Sequence, residues 1–306
     1  MIFDTAFTVY LAAPGFVPEV LAELGEAGTT AVVRDRLVFA PGEPLPCAWA
    51  QNVWLAPRVL EIASINDAVR QLKAIQRNWV CYPVDHFRRC ALIQEGLPRV
   101  SARPQVFGQP APTAPLGSWT LWDEHTLIAS PACLSPFPHG EVTFVEDKSG
   151  PPNRAYLKLW ELFTLTGVHP GPGDLCLDLG ASPGGWSWVL ARLGARVFAV
   201  DKAPLDPAVA GFANVESCRG SGFGLDPEDV GRADWLFSDM ACYPERLFAL
   251  VARWREAKAC VNFVCTLKFQ GTTDQATAAA FAAIPGARLL HLWHNKHELT
   301  WFCQTS

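Results

Sequence analysis

Two patterns of hydrophobic and polar residues divide the chain. From about residue 154 onward, short apolar runs alternate with stretches whose apolar residues recur at helical spacing. The runs that predict buried parallel strands are residues 175–179, 197–200, 235–238 and 261–267. The stretches that predict helices are 154–166, 185–193, 244–257 and 275–283. This alternation predicts an α/β, Rossmann-like fold with a mostly parallel sheet. The final runs, 287–294 and 299–303, predict an antiparallel pair at the edge of that sheet.

The N-terminal half has a different pattern, typical of a smaller α+β region. The predicted strands are residues 6–12, 30–33 and 36–39, and the predicted helices are 17–25 and 65–77. The Pro- and Gly-rich segment 96–117 predicts a loop, and residues 119–129 predict a β-hairpin. We therefore divide the chain into an N-terminal region (1–117), a hairpin and extended connector (118–152) and a C-terminal domain (153–306).

Composition and charge limit the classes of protein that the chain can represent. Half of the 306 residues are hydrophobic and 18% are charged, which permits a sizeable core. The net charge of −5 excludes a uniformly basic nucleic-acid-binding protein, but binding needs only a local basic surface. Residues 58–103 carry eight basic and four acidic residues, a net charge of +4, which indicates either such a surface or simply a solvated face.

The cysteines and the apolar segments point to a location inside the cell. The ten cysteines include no CxxC pair, so neither a metal site nor a compact disulfide framework is predicted. The first residues lack the pattern of a signal peptide, and no apolar run is long enough for a membrane span. We expect a cytoplasmic monomer that contacts no membrane.

A glycine-rich turn is the strongest motif. It follows the strand at 175–179, precedes a helix and contains Gly180, Ser182, Pro183, Gly184 and Gly185. Glycines there permit a sharp turn and a close backbone approach to a ligand. The turn lacks the G-x-G-x-x-G spacing that accommodates a pyrophosphate, so it favours a compact nucleoside cofactor over a dinucleotide. A purely structural turn is the alternative.

An acidic residue supports the interpretation of this turn as a cofactor site. Asp201 ends the next predicted strand, where a carboxylate can accept hydrogen bonds from both hydroxyls of an adenosine ribose.

The sequence from Leu177 to Ser187, LDLGASPGGWS, resembles the first motif of the FtsJ-type (RrmJ-type) ribose 2′-O-methyltransferases. Within that family it is most similar to the RlmM branch, which methylates a cytidine of bacterial large-subunit ribosomal RNA. The resemblance extends over about residues 119–303. It implies S-adenosylmethionine as the cofactor and RNA, in particular ribosomal RNA, as the substrate. The implied cofactor contacts are Ser182, Pro183, Gly184, Gly185, Trp186 and Asp201, with Gly180 in the same turn.

Two further cofactor positions depart from the family's pattern. The family usually has Asp after the third strand, against the adenine amino group, where this chain has Ser221. A serine hydroxyl is a weaker neutral acceptor, so the resemblance implies binding with lower affinity. Asn153 stands where the family commonly has Ser, and is a candidate contact for the amino-acid end of the cofactor.

Methylation of a ribose hydroxyl requires a group that orients the hydroxyl and removes its proton. A lysine can do this only if burial or another cation lowers its pKa. Four charged residues stand at the ends of predicted elements: Lys158, Asp239, Lys268 and Glu298. Ligands of an open parallel sheet bind at the carboxyl ends of its strands, where Asp239 and Lys268 are expected.

The same four residues match the family's Lys-Asp-Lys-Glu tetrad in order and context. The resemblance implies that Lys268 is the general base and that Asp239 orients Lys268 and the methyl donor. Lys158 and Glu298 would position the ribose. Asp239 is therefore both a catalytic and a cofactor-binding candidate.

The resemblance also covers the beginning of the chain. In the RlmM branch, a ferredoxin-like unit and an RNA-binding THUMP domain precede the methyltransferase, and residues 7–21 resemble the opening strand and helix. The remainder is shorter than that pattern, which implies a reduced THUMP-like region with residues 58–103 as the candidate RNA contact.

Two alternatives to an RNA methyltransferase remain. One is a non-catalytic RNA-binding protein that retains the fold, favoured by Ser221 and the acidic net charge. The other is a nicotinamide-dependent oxidoreductase, which the Ser-Pro sequence in the glycine-rich turn disfavours.

Overall fold

The computed structural model describes residues 5–304, apart from the Glu26 side chain. It consists of two compact units, the first ending at Thr143 and the second beginning at Phe144. The first unit contains two sheets and two clusters of buried hydrophobic residues, and the second unit contains a seven-stranded sheet.

The first unit begins with an antiparallel sheet in the order β2-β3-β1-β4. Its elements are β1 (Phe7–Ala12), α1 (Val17–Glu26), β2 (Val32–Arg34), β3 (Leu37–Pro41) and β4 (Ala50–Trp54). β1 lies between β3 and β4 and is buried along its whole length, which explains its continuous apolar sequence.

A second four-stranded sheet, in the order β5-β8-β7-β6, completes this unit. Its elements are β5 (Arg58–Glu61), α2 (Ile65–Ile75), β6 (Trp79–Cys81), α3 (Phe87–Glu95), β7 (Gly117–Leu121) and β8 (Thr126–Ser130). The Ser64 side chain accepts a hydrogen bond from the Asp67 amide and so caps the start of α2. Trp79 and Trp119 pack together with Leu72 and Ile93 in the core of this sheet.

The structure modifies the predicted division of the N-terminal half. The predicted hairpin is present as β7 and β8, but β8 pairs with β5, and β7 pairs with β6. The hairpin is therefore part of the first unit, whereas the sequence placed it in a separate connector over residues 118–152. The sequence also did not predict β4, β5, β6 or α3. Pairing with non-local strands, which a local pattern does not reveal, explains the three missed strands.

The second unit contains a sheet in the order β11-β10-β9-β12-β13-β15-β14. Its strands are β9 (Leu175–Leu179), β10 (Arg196–Asp201), β11 (Val215–Arg219), β12 (Ala233–Ser238), β13 (Cys260–Lys268), β14 (Ala287–Leu290) and β15 (Glu298–Gln304). Its helices are α4 (Tyr156–Thr166), α5 (Gly185–Arg192), α6 (Pro207–Ala210), α7 (Pro227–Val230), α8 (Pro244–Glu256) and α9 (Gln275–Ala282).

The direction of the strands confirms the predicted Rossmann-like fold. The strands β9 to β13 are parallel, while β15 runs antiparallel between β13 and β14. The strand order reverses between β9 and β12, and a doubly wound sheet binds its ligands at the carboxyl ends of the strands beside such a reversal. The sequence did not predict β11, because this edge strand is mostly exposed and lacks an apolar run.

Most tryptophans are buried and so contribute to the packing of the interior. Ten of the twelve are buried, and Trp122 and Trp293 are partly exposed. Among residues 5–304, no helix has the length and apolar character needed to cross a bilayer.

Candidate active site

A cavity of about 550 Å³ opens at the carboxyl ends of β9, β10, β12 and β13. Its size lies within the range of pockets for small molecules and cofactors. Among the residues suggested by the sequence, those that line it are Asn153, Gly180, Ser182, Gly185, Trp186, Asp201, Ser221, Asp239 and Lys268. Pro183 and Gly184 belong to the same turn but are not among the lining residues.

The glycines of the turn are required by backbone geometry and by space. Gly180 and Gly184 have φ values of +82° and +116°, a region that glycine adopts readily. A Cβ on Gly180 would lie 2.3 Å from Cγ of Met240, and one on Gly185 would lie 2.1 Å from Oδ1 of Asn153. The turn therefore brings the chain close to the segment after β12 and to the start of α4.

Asp201 links the end of β10 to this turn. Its Oδ2 accepts a hydrogen bond from the Ser182 amide at 3.0 Å, and its Oδ1 accepts one from the Ala203 amide at 2.9 Å. The Ser182 hydroxyl donates to the Pro204 carbonyl at 2.8 Å. Each carboxylate oxygen of Asp201 keeps further capacity to accept hydrogen bonds, so the group can still receive hydroxyls from a ligand.

The start of α4 forms a second wall of the cavity. Oδ1 of Asn153 accepts a hydrogen bond from the Ala155 amide at 3.1 Å. The indole N–H of Trp186 donates to the Ala155 carbonyl at 3.0 Å, and the ring is 3% exposed. Trp186 thus fixes α5 to the start of α4 as well as lining the cavity.

The wall formed by the segment after β11 contains Ser221 and Phe223, both partly exposed. The guanidinium of Arg246, from the first turn of α8, lies 3.9 Å from the centroid of the Phe223 ring in a cation–π contact. Arg246 also lines the cavity, a position that the sequence did not predict for it.

The four charged residues of the predicted tetrad converge in the structure. Lys158 Nζ lies 2.6 Å from Glu298 Oε1 and 3.1 Å from Asp239 Oδ1. Lys268 Nζ lies 3.0 Å from Asp239 Oδ1 and donates to the Asp239 backbone carbonyl at 2.5 Å. The four charges form one chain, Glu298–Lys158–Asp239–Lys268.

The fold explains why residues so distant in sequence meet. Asp239 directly follows β12, and Lys268 ends the neighbouring parallel strand β13. Because β15 is antiparallel to β13, its first residue, Glu298, pairs in register with Lys268 at the same edge of the sheet. Lys158 reaches this edge from α4.

Only part of the tetrad lines the cavity. Asp239 and Lys268 line it, whereas Lys158 and Glu298 are not among its lining residues and are almost fully buried. Burial acts to lower the pKa of Lys158, but the carboxylates of Asp239 and Glu298 outweigh it and leave the pKa raised. Lys158 is thus held as a cation, which suits a role in positioning and not one as proton acceptor.

Asp178 is a polar residue of the cavity to which the sequence analysis assigned no role. It lies in β9 at 1% exposure, and its Oδ2 accepts a hydrogen bond from the Ser187 hydroxyl at 2.6 Å. Burial raises the pKa of Asp178 to about 7; the Ser187 hydrogen bond opposes this rise and the charge of Asp239 adds to it. The feature of the sequence that could have revealed Asp178 is a carboxylate within a strand that is otherwise apolar.

The sheet, the glycine-rich turn and the converged charges all lie in the second unit, and a match to a known family covers the same part of the chain. Residues 151–271 match the family described as FtsJ-like methyltransferase. Over these residues the second unit is similar to that family, in agreement with the motif at residues 177–187.

The chain is also similar in sequence to individual proteins of known name. The chain is 29% identical, over an alignment 332 positions long with its gaps, to the ribosomal RNA large subunit methyltransferase M of Alkalilimnicola ehrlichii, covering 94% of this chain and 91% of that protein. It is 35% identical over 164 residues to the protein of the same name from Aromatoleum aromaticum, covering 48% and 44%. The protein of that name from Laribacter hongkongensis is 35% identical over 191 residues, covering 56% and 53%. The last two alignments span about half of those relatives' length.

Proposed function

We propose that the protein is an S-adenosylmethionine-dependent methyltransferase that methylates a ribose 2′-hydroxyl of RNA. The observation that carries the proposal is the chain of four charges that reaches the cavity at Lys268 and Asp239. The relatives named as large-subunit ribosomal RNA methyltransferases support that RNA as the substrate, and the resemblance described above favours a cytidine.

The residues of the cavity fit the proposed cofactor. Asp201 offers a carboxylate for the ribose hydroxyls, Ser221 offers a hydroxyl for the base, and Asn153 with Gly185 lines the opposite wall. The lack of a Cβ at position 185 allows Oδ1 of Asn153 to lie against the turn, since a Cβ there would be 2.1 Å from that oxygen. When bound, S-adenosylmethionine supplies an electrophilic methyl group on a sulfonium centre.

In this proposal Lys268 acts as a neutral amine, takes the proton of the 2′-hydroxyl, and becomes an ammonium that pairs with Asp239. Its side chain is 26% exposed and lines the cavity, so a substrate hydroxyl can reach Nζ. Asp239 orients Lys268 through its carboxylate and its backbone carbonyl. Lys158, fixed by Glu298 on the other side, holds Asp239 in place and keeps the buried group electrically balanced.

The first unit supplies the proposed RNA contact. Of the eight basic residues between positions 58 and 103, all except the partly exposed Arg89 are exposed. Exposed Arg and Lys side chains can pair with phosphates, and such pairing makes affinity fall as salt rises. We place the protein in the cytoplasm as a monomer. In the part of the chain that the structure describes, all ten cysteines stand outside disulfides, which favours a reducing compartment.

Substitution of Lys268 separates catalysis from binding. Lys268→Met should abolish methyl transfer from radiolabelled S-adenosylmethionine to unmodified large-subunit ribosomal RNA. Calorimetric affinity for S-adenosylhomocysteine should stay within a few-fold of that of the unchanged protein. Methyl transfer at the normal rate by Lys268→Met would refute the assignment of the base.

The unchanged protein tests the alternatives. RNA binding without methyl transfer would favour a non-catalytic RNA-binding protein, and binding of NAD without binding of S-adenosylhomocysteine would favour an oxidoreductase. Mapping of 2′-O-methyl sites on ribosomal RNA from cells that lack the protein would identify the modified nucleotide.

A further inference from the structure

A second buried carboxylate lies on the same helix as Lys158. Glu161 follows Lys158 by three residues on α4, which places the two on neighbouring turns of one face. Glu161 is 1% exposed. Such a carboxylate is stable inside a protein only if hydrogen bonds replace the water it has lost.

Those hydrogen bonds all come from the turn between β14 and β15. The Trp293 amide donates to Glu161 Oε1 at 2.7 Å, and the His294 amide donates to Oε2 at 3.1 Å. Nδ1 of His294 lies 2.7 Å from the same Oε2. Glu161 therefore fixes two consecutive residues of the turn to α4.

The turn is connected rigidly to Glu298. Nδ2 of Asn295 donates to the Glu298 carbonyl at 3.2 Å and to the Thr300 hydroxyl at 3.1 Å. The Lys296 amide donates to Glu298 Oε1 at 3.3 Å, the same oxygen that pairs with Lys158. A displacement of the turn would therefore move the Glu298 carboxylate away from the Lys158 ammonium.

We infer that Glu161 is a positioning residue, which holds the β14–β15 turn against α4 and thereby keeps Glu298 in contact with Lys158. Glu161 is not among the residues that line the cavity, so it acts through the tetrad and does not touch the cofactor. Burial raises its pKa, whereas the hydrogen bonds from His294 and the backbone amides act to lower it. This inference rests on the proposed function, because it is tested through the rate of the methyl transfer in which the tetrad is proposed to act.

The experiment is a double-mutant cycle between Glu161 and Glu298. In Glu161→Gln, one of the two amide donors of the turn faces a side-chain NH₂ in place of a carboxylate oxygen, so the turn must shift. A misplacement of about 1 Å can cost on the order of 100-fold in rate, so we expect kcat to fall about 10- to 100-fold. Calorimetric affinity for S-adenosylhomocysteine should be unchanged. The control Thr164→Ala removes a hydrogen bond within α4 that does not involve the turn, and should retain normal kcat.

The combined variant distinguishes positioning from general support of the fold. If Glu161 acts through Glu298, Glu161→Gln adds little to the loss already caused by Glu298→Gln. The inference would be overturned if the fold-losses of kcat in the two single variants multiplied in the combined variant. A normal kcat in Glu161→Gln would overturn it as well. If Glu161→Gln does not fold, the substitution His294→Phe takes its place, because it removes only the contact between the His294 ring and Glu161. A smaller loss of kcat is then expected. A normal kcat in His294→Phe would also overturn the inference. Absence of methyl transfer by the unchanged protein is a different result, which refutes the proposed function itself.

Discussion

Replacement of Asp178 by Asn should stabilise the protein considerably more at pH 8 than at pH 5. The unfolded chain ionises this carboxyl near pH 3.9, whereas the folded protein does so at about pH 7, because burial disfavours the charge. Between these two values the folded state binds a proton that the unfolded state has released. Asp178 therefore lowers stability progressively as pH rises through this window, and the loss is complete above pH 7.

The magnitude follows from the displacement of the pKa. Each pH unit within the window costs about 1.4 kcal/mol, so this group alone removes about 3 kcal/mol between pH 5 and pH 8. Asn is uncharged, nearly isosteric with Asp, and its amide oxygen can accept the Ser187 hydrogen bond. The free energy of unfolding of Asp178→Asn, relative to the unchanged protein, should therefore rise by about this amount over the same interval.

Urea denaturation of both proteins at each pH, without cofactor, measures the difference. Comparison at the same pH cancels the contributions of other titrating groups. Ser187→Ala is the matched variant in the opposite sense, because it removes a hydrogen bond that lowers the pKa of Asp178, and should extend the loss of stability to higher pH. An equal stability difference between Asp178→Asn and the unchanged protein at pH 5 and pH 8 would refute the reasoning.

Three further substitutions test the site. Gly185→Ala places a Cβ 2.1 Å from Oδ1 of Asn153. This overpacking should lower the free energy of unfolding by about 1–3 kcal/mol, measured by urea denaturation, and weaken the binding of S-adenosylhomocysteine, measured by calorimetry. Ser221→Asp replaces a neutral acceptor by a charged one and should tighten that binding by about 1 kcal/mol, whereas weaker binding would contradict the position assigned to Ser221. Lys158→Met leaves the buried Glu298 carboxylate without its cation, whereas the partly exposed Asp239 keeps Lys268 as a partner. It should destabilise the protein by about 3–5 kcal/mol in urea denaturation, with a smaller loss at lower pH, where a carboxylate can take up a proton.

The local pattern of the sequence was sufficient for the parallel part of the second unit. Continuous apolar runs predicted β9, β10, β12 and β13, because both faces of such strands are buried. Each of these strands could therefore be predicted without knowing which strands pair with it. The exposed edge strand β11 has no such pattern and was not predicted. In the first unit, the strands that depend on non-local pairing were likewise missed.

The sequence by itself determined which residues could form the site. The glycine-rich turn and the four charged residues at element ends were identifiable because their chemistry is local, and because they resemble a known family. Only the tertiary structure decided how they act together: the antiparallel register of β15 brings Glu298 to Lys158, and burial sets the pKa of Asp178. The role inferred for Glu161 was equally hidden in the sequence. Its partners lie more than 130 residues away in the chain, and hydrogen bonding between such distant segments is decided by folding and not by sequence spacing.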